Sequence, residues 1–274
     1  MVYKNFMKLL SSKEQKSIEQ VIKKAGANLL TYQNRSSVEQ KSSVLASIVT
    51  QADIDTENFL REHLSKLFPD FGFYSEETFK TSPQELEKEY CWVVDPIDGT
   101  LNFSRNLHLF AISVALMYQK KPIFGAVFLP RLNEYFCALK NQGAFLNKQP
   151  VKIRKNTSID HLFGASNIGL GKEGYKQFID LRFKHKWESA HTYSAVYNYV
   201  QTAAGLYDFT LSINLALWDI AAGWIIVEEA GGAFEIFYKD QTDFQKNDPY
   251  HIWSIAGDKP IVEQIIKEVK QTWL

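Results

Sequence analysis

Trp-Val-Val-Asp-Pro-Ile-Asp-Gly-Thr-Leu-Asn-Phe, residues 92 to 103, is the stretch from which the rest of the chain can be interpreted. Its first three residues are apolar and mostly β-branched, which favours a buried strand. Pro96 has no N–H group to donate to a neighbouring strand, so we expect the strand to stop there and to leave Asp95 at its end. Asp98-Gly99 is a turn dipeptide, and Thr100 is predicted to open a helical turn.

The same stretch brings two carboxylates close to backbone amides. Asp95 and Asp98 are three residues apart on a bent chain, so both can turn their oxygens toward a cation. Hard oxygen ligands favour Mg²⁺, and the unpaired N–H groups of a helix N-terminus attract phosphate. The local pattern alone is weak, because Asp-Pro and Asp-Gly are also ordinary turn dipeptides. Its interpretation depends on residues elsewhere in the chain.

The composition is that of a globular protein with a sizeable core. Of its 274 residues 45% are hydrophobic, and 31 basic residues balance 31 acidic ones. This balance gives no electrostatic argument for a nucleic-acid polymer or a membrane surface as a partner. Two cysteines in a chain of this length, Cys91 and Cys137, are expected to be reduced and structural. The chain starts without signal-peptide features, and no window approaches the roughly 20 apolar residues of a membrane span, so we expect a cytoplasmic protein.

Apolar periodicity predicts the elements around the central stretch. Five apolar residues at three- and four-residue steps predict an amphipathic helix that covers a sheet: Ile18, Val21, Ile22, Ala25 and Leu29. Three apolar runs separated by turn residues predict an antiparallel meander: 110–117, 123–129 and 134–138.

The polar segment near residues 148–160 is where we place a boundary between two lobes. Beyond it, strand-like and helix-like segments alternate, and a helix over 261–273 closes the chain. We therefore predict an N-terminal α+β lobe over residues 1–150 and a C-terminal α/β lobe over residues 151–274.

Further acids occupy positions that suit either a site or ordinary structure. Asp53 and Asp219 are each predicted in the first turn of a helix, where an acid also stabilises the helix without binding anything. Glu76 and Glu77 end a short predicted strand, and since neighbouring strand residues point to opposite faces, only one of them can easily reach a site. Lys41 lies in a polar stretch that is interpreted as a loop, either a solvated linker or one that carries the lysine to a ligand.

Several motifs occur together in one order. They are Val49-Thr50-x-x-Asp53, Glu76-Glu77, the stretch from Trp92 to Phe103, Trp218-Asp219-x-Ala-Ala-Gly and Glu229-Ala-Gly-Gly232. In this set and order the chain resembles the inositol monophosphatase family, the Mg²⁺-dependent, lithium-sensitive phosphomonoesterases related to fructose-1,6-bisphosphatase and the nucleotide 3′-phosphatases. The resemblance implies a layered αβαβα sandwich, with the site between an N-terminal α+β lobe and a C-terminal α/β lobe that carries Asp219.

The resemblance also implies roles for individual residues. The implied metal ligands are Glu76, Asp95, the Ile97 carbonyl, Asp98 and Asp219. They would hold two or three Mg²⁺ ions, with Mn²⁺ as a possible substitute, and the clustered carboxylates would repel one another without such cations. Thr100, oriented by Asp53, would position or deprotonate the attacking water, and Glu76 would share the role of base. The implied substrate contacts are Gly99, Thr100, Ser194, Ala195, Ser212 and Asp219.

The chain departs from the family pattern on the side of the leaving group. Ser212 stands where inositol-phosphate enzymes often carry a glutamate, and the segment from Ala190 to Ala195 lacks the usual arginine and glycine. We therefore predict hydrolysis of a small sugar-alcohol phosphate such as inositol 1-phosphate. The alternatives are an NADP(H) or adenosine 3′,5′-bisphosphate phosphatase, in which Tyr193 or His191 contacts a larger group, and a non-catalytic regulatory homologue. A homodimer is expected from the resemblance.

Overall fold

The computed structural model describes residues 10–33, 51–168, 174–238 and 251–272. Its helices are α1 (Ser12–Gln33), α2 (Gln51–Leu67), α3 (Thr100–Ser104), α4 (Tyr175–His185), α5 (Ala195–Ala203), α6 (Leu217–Glu229) and α7 (Lys259–Thr272), with a 3₁₀ helix at Pro83–Glu87. Its strands are β1 (Gly72–Ser75), β2 (Tyr90–Asp98), β3 (Ala111–Tyr118), β4 (Lys121–Leu129), β5 (Glu134–Leu139), β6 (Ala144–Leu146), β7 (Gln149–Val151), β8 (Phe163–Asn167), β9 (Glu188–Ala190), β10 (Phe209–Leu215), β11 (Ala233–Phe237) and β12 (Ile252–Gly257). Lys41, Val49 and Thr50 lie outside the described residues.

The strands form two sheets. In the first, β1 to β7 follow one another in chain order; β1 and β2 are parallel and the later neighbours antiparallel, which confirms the predicted meander. The second has the order β11-β12-β10-β8-β9 and mixes parallel and antiparallel pairs.

Three apolar layers separate these sheets and their helices. Along β2, Trp92 and Val94 face α1 and α2, whereas Cys91 and Val93 face α5 and α6. The far side of α5 and α6 packs on the second sheet, whose other face is covered by α4 and α7. The architecture is therefore the layered αβαβα sandwich expected from the resemblance.

The central stretch differs from its prediction in one respect. Strand β2 does not stop at Pro96 but runs to Asp98, and its pairing with β3 passes from Asp95–Ser113 to Asp98–Ala111. The register shifts between these pairs, which places one extra residue in β2, as in a β-bulge. Proline interrupts the ladder locally because it has no N–H group, but the chain resumes pairing beyond it. Asp95 and Asp98 therefore flank a bulge within one strand.

Helix α6 approaches its neighbours closely enough to require a small residue. A Cβ atom on Gly223 would lie 2.7 Å from the Cβ atom of Tyr199 in α5. The glycine thus lets two helices of the middle layer come together. Gly223 lies one turn after Asp219, which is in the first turn of the same helix.

Two smaller expectations concern the thiols and the membrane. Cys91 and Cys137 are free thiols, and burial raises the pKa of Cys91 to about 12, so it acts as a packed apolar residue. Within the described ranges, none of the helices has the length and apolar character needed to cross a bilayer.

Candidate active site

Two carboxylates at the end of β2 and a third from the first turn of α6 meet in one cluster. Oxygen atoms of Asp95, Asp98 and Asp219 all lie within 4.8 Å of one another. Asp95 and Asp98 are buried, whereas Asp219, Gly99 and Thr100 are partly exposed, so the cluster opens to solvent on their side. A substrate can therefore approach the acids from the turn that follows β2.

The bulge in β2 holds this turn through local hydrogen bonds. The Ile97 N–H donates to Asp95 Oδ1 at 2.9 Å, and the Thr100 hydroxyl donates to the Ile97 carbonyl at 3.0 Å. Gly99 has a left-handed backbone with φ of 85°, and a Cβ atom there would lie 3.0 Å from the Leu109 carbonyl oxygen. The turn thus requires glycine on both conformational and steric grounds.

Asp98 is held by the N-terminus of α5. The backbone N–H groups of Ala195 and Val196 each donate to its carboxylate at 3.1 Å, and the Ser194 hydroxyl donates to it as well. Ser194 also caps α5 by accepting from the Tyr197 N–H. Ser194 and Ala195 are buried, and here both direct their polar groups to Asp98.

Asp219 occupies the first turn of α6, as the sequence predicted. Its carboxylate accepts a hydrogen bond from the Ala216 N–H at 2.8 Å. The preceding Trp218 packs against Tyr74 and Phe79, with ring centroids 5.9 and 4.9 Å apart. This packing anchors the start of α6 against the side of the molecule that carries β1.

Glu76 and Asp53 complete the acidic neighbourhood. The Glu76 N–H donates to the Val94 carbonyl at 3.3 Å, which places Glu76 beside the residue that precedes Asp95. Burial raises the pKa of Glu76 well above its usual range, and the charges of Asp219 and Asp53 raise it further. Asp53 is buried in the first turn of α2. The five predicted acids therefore interact electrostatically.

Burial and mutual repulsion raise the pKa values of the carboxylates in this cluster. Burial raises the pKa of Asp98 to about 7, with Asp219 adding to the effect and hydrogen bonds from α5 opposing it. Burial also raises the pKa of Asp219 to about 6, while burial and the charge of Glu76 raise the pKa of Asp95 well above its usual range. A divalent cation would favour the charged form of these carboxylates, and carboxylate oxygens are the ligands that hard cations prefer. The donor set therefore fits a divalent metal.

One predicted substrate contact, Ser212, lies in the interior of the protein. Ser212 is fully buried in β10, where it pairs with Ser254 and lies beside the Tyr199 hydroxyl. Helices of the middle layer cover this face of the strand. Sequence spacing located the position but did not indicate its burial.

Asn102 is a structural contributor that the sequence reasoning did not single out. Its side-chain amide donates to the Thr192 carbonyl at 2.7 Å and to the Leu109 carbonyl. It thereby ties the turn after β2 to the segment that leads into α5. Its position in the Gly-Thr-x-Asn pattern was the sequence feature that could have identified it.

Comparisons with known proteins agree on one family and one fold. The model of the inositol monophosphatase family matches residues 11–273. The chain is 34% identical to inositol monophosphatase 2 of Saccharomyces cerevisiae over 247 residues, which cover 84% of this chain and 80% of the yeast protein. It is 30% identical to a Thermotoga maritima protein named fructose-1,6-bisphosphatase/inositol-1-monophosphatase, over 91% of this chain and 95% of that protein. Among solved structures, extragenic suppressor protein suhB from Bartonella henselae superposes with a TM-score of 0.80 at 27% identity, covering 95% of this chain and all of that one.

Proposed function

This chain belongs to the inositol monophosphatase family of phosphomonoesterases, and we propose that its substrate is a small sugar-alcohol phosphate such as inositol 1-phosphate. The observation that carries the proposal is the convergence of Asp95, Asp98 and Asp219 beside the partly exposed Gly99-Thr100 turn. Such an arrangement supplies charge and positioning, which are the main requirements of phosphoryl transfer.

We propose that Mg²⁺ is the physiological cation, with Mn²⁺ as a substitute. Two or three ions would be held by Glu76, Asp95, the Ile97 carbonyl, Asp98 and Asp219. When bound, such cations lower the pKa of water and stabilise negative charge on the leaving oxygen. The raised pKa values of the carboxylates support this proposal, because a bound cation would offset the burial and repulsion that disfavour their charged forms.

The remaining groups of the site would orient the reactants. We propose that the Gly99 and Thr100 amides hold the phosphate and that the Thr100 hydroxyl, oriented by Asp53, positions the attacking water. The hydroxyl lies 3.0 Å from the Ile97 carbonyl, at the rim of the carboxylate cluster. Ser194 and Ala195 would act on the leaving-group side by holding Asp98, and Asp219 would contact the substrate directly.

One observation favours a second candidate, a phosphatase for nucleotides such as NADP(H) or adenosine 3′,5′-bisphosphate. Tyr193 is 50% exposed and its ring lies edge-on to that of His191, with centroids 4.5 Å apart. The Tyr193 carbonyl approaches Gly99, so this aromatic pair borders the turn proposed to hold phosphate. Exposed aromatic rings stack on nucleobases, which inositol lacks.

Phosphate release from a panel of substrates tests both candidates. Inositol 1-phosphate, NADP and adenosine 3′,5′-bisphosphate would be compared in Mg²⁺ and in EDTA. We expect turnover that requires the cation and is fastest with inositol 1-phosphate. Faster turnover of the nucleotides would favour the second candidate, and the absence of hydrolysis of every substrate with Mg²⁺ supplied would refute the proposed function.

We further propose a cytoplasmic homodimer whose protomers each have two lobes, residues 1–150 and 151–274. The first sheet ends with β7 at Val151 and the second begins with β8 at Phe163, which supports a division close to residue 150. Light scattering of the purified protein tests the dimer directly, since a monomer mass would contradict it.

A further inference from the structure

Glu57 is a buried carboxylate outside the set of acids discussed above. It lies one helical turn after Asp53 on α2, and its side chain is only 2% exposed. A charge with so little access to water is costly unless other groups satisfy it. The groups that hydrogen-bond to Glu57 therefore stabilise its buried charge.

Its two carboxylate oxygens bind the segment that follows β1. Oε2 accepts from the Glu77 N–H at 3.1 Å, and Oε1 accepts from the Thr78 hydroxyl at 3.0 Å. Arg61 donates to the same Oε1 at 2.8 Å and also donates to the Thr78 hydroxyl. The Arg61 guanidinium lies over the Phe73 ring at 4.3 Å, which orients it against β1. Glu57 thus holds the backbone immediately after Glu76.

The other side of Glu76 is held by a different element. Its own N–H donates to the Val94 carbonyl of β2, next to Asp95. Glu76 therefore stands between two anchors, one on β2 and one on α2. The Arg61 charge neutralises that of Glu57, so the second anchor adds no net charge near the acidic cluster.

We propose that Glu57 is a positioning residue for the cation site, which it controls by fixing the turn that carries Glu76. The inference rests on the proposed function, in which Glu76 is a metal ligand. Groups that hold metal ligands in place typically change metal affinity by about 10- to 100-fold when they are removed. A side chain with a purely structural role would change stability without changing cation affinity.

The test is Glu57→Gln, with Glu85→Gln as its matched control. The Glu85 carboxylate also accepts from a backbone N–H of β1, that of Phe73 at 3.3 Å, and also pairs with a cation, Lys88 at 3.0 Å. It does so at the end of the strand away from Glu76. Cation affinity is measured by titration of MnCl₂ followed by electron paramagnetic resonance, and stability in EDTA by thermal melting.

We expect Glu57→Gln to weaken Mn²⁺ binding by about 10- to 100-fold and Glu85→Gln to leave it within about twofold. In a Glu76→Gln background the Glu57 substitution should have little additional effect, because the two residues act through one ligand. Unchanged Mn²⁺ affinity in Glu57→Gln, an equal loss in Glu85→Gln, or an undiminished effect in the Glu76→Gln background would each overturn the proposal.

A less disruptive variant keeps the proposal testable if Glu57→Gln does not fold. Thr78→Val removes the hydroxyl that donates to Glu57 but preserves the shape of the side chain, and a smaller loss of Mn²⁺ affinity is expected from it. Unchanged affinity in that variant would overturn the proposal. Phosphate release by the wild-type protein is followed separately, so that absent turnover with intact Mn²⁺ binding counts against the proposed function alone.

Discussion

The substitution Asp95→Asn tests whether Asp95 is a metal ligand or only supports the fold. The amide is nearly isosteric with the carboxylate, and its oxygen can still accept the hydrogen bond from the Ile97 N–H. The substitution therefore removes a charge at the centre of the cluster with little change in packing. The substitution should weaken cation binding but stabilise the metal-free protein.

The magnitude follows from the spacing of the acids. Ligand oxygens within 4.8 Å of one another can surround a single ion. A pair of unit charges about 4 Å apart contributes about 4 kcal/mol at an effective dielectric constant of 20, which corresponds to about 10³-fold in cation affinity. Without metal, burial and the charge of Glu76 already raise the pKa of Asp95, so a neutral side chain should make the metal-free protein more stable above neutral pH.

Thermal melting in EDTA and over a range of MgCl₂ concentrations measures both effects, and phosphate release measures activity. We expect Asp95→Asn to melt at a higher temperature in EDTA, to show little Mg²⁺ stabilisation and to lose turnover. Asp258→Asn is the control, since that buried carboxylate binds Lys155 at 2.8 Å and the Asn156 N–H at 3.2 Å. The control should lose stability and keep its Mg²⁺ response. Wild-type Mg²⁺ stabilisation and turnover in Asp95→Asn would refute the ligand assignment.

Three further predictions follow from the same site. Ser194→Ala removes both the cap of α5 and a hydrogen bond to Asp98. Calorimetry should therefore show a free energy of unfolding lower by about 1 kcal/mol, and titration with Mg²⁺ should show a weaker affinity. An unchanged Mg²⁺ affinity would contradict the conclusion that Ser194 helps to hold Asp98. Gly99→Ala adds a Cβ atom 3.0 Å from the Leu109 carbonyl on a left-handed backbone, at a cost of about 1–2 kcal/mol; a melting temperature and turnover equal to those of the wild type would show that the turn is not constrained. The pKa values of Asp98 and Asp219 are raised to about 7 and about 6. At pH values between the ordinary pKa of an aspartate and these raised values, the folded metal-free protein therefore binds more protons than the unfolded chain. Their contribution to stability in EDTA is therefore greatest at acid pH and falls as pH rises through that window, by up to about 1.4 kcal/mol per pH unit for each group. Melting temperatures measured in EDTA and in MgCl₂ at pH 5.5 and pH 8 should show the larger stabilisation by Mg²⁺ at pH 8. A larger stabilisation at pH 5.5 would contradict the raised pKa values.

Local patterns in the sequence were sufficient to predict α1, the antiparallel meander and the helix that carries Asp219. The apolar steps from Ile18 to Leu29 predicted α1, and its buried face confirms them, because helix periodicity is a property of neighbouring residues. The runs after Phe110 predicted the meander for the same reason, since each strand pairs with the next one along the chain. Asp219 was likewise found in the first turn of its predicted helix.

The tertiary structure decided the distances between residues that are far apart in the chain and the burial of individual side chains. The continuation of β2 beyond Pro96 depends on β3 being available to pair with Asp98. The burial of Ser212 depends on the helices that cover β10, and the role of Glu57 depends on where β1 ends relative to α2. Sequence motifs name the acids, but only the packing of the layers determines which oxygens face one another, because no local pattern encodes the separation of Asp95 from Asp219.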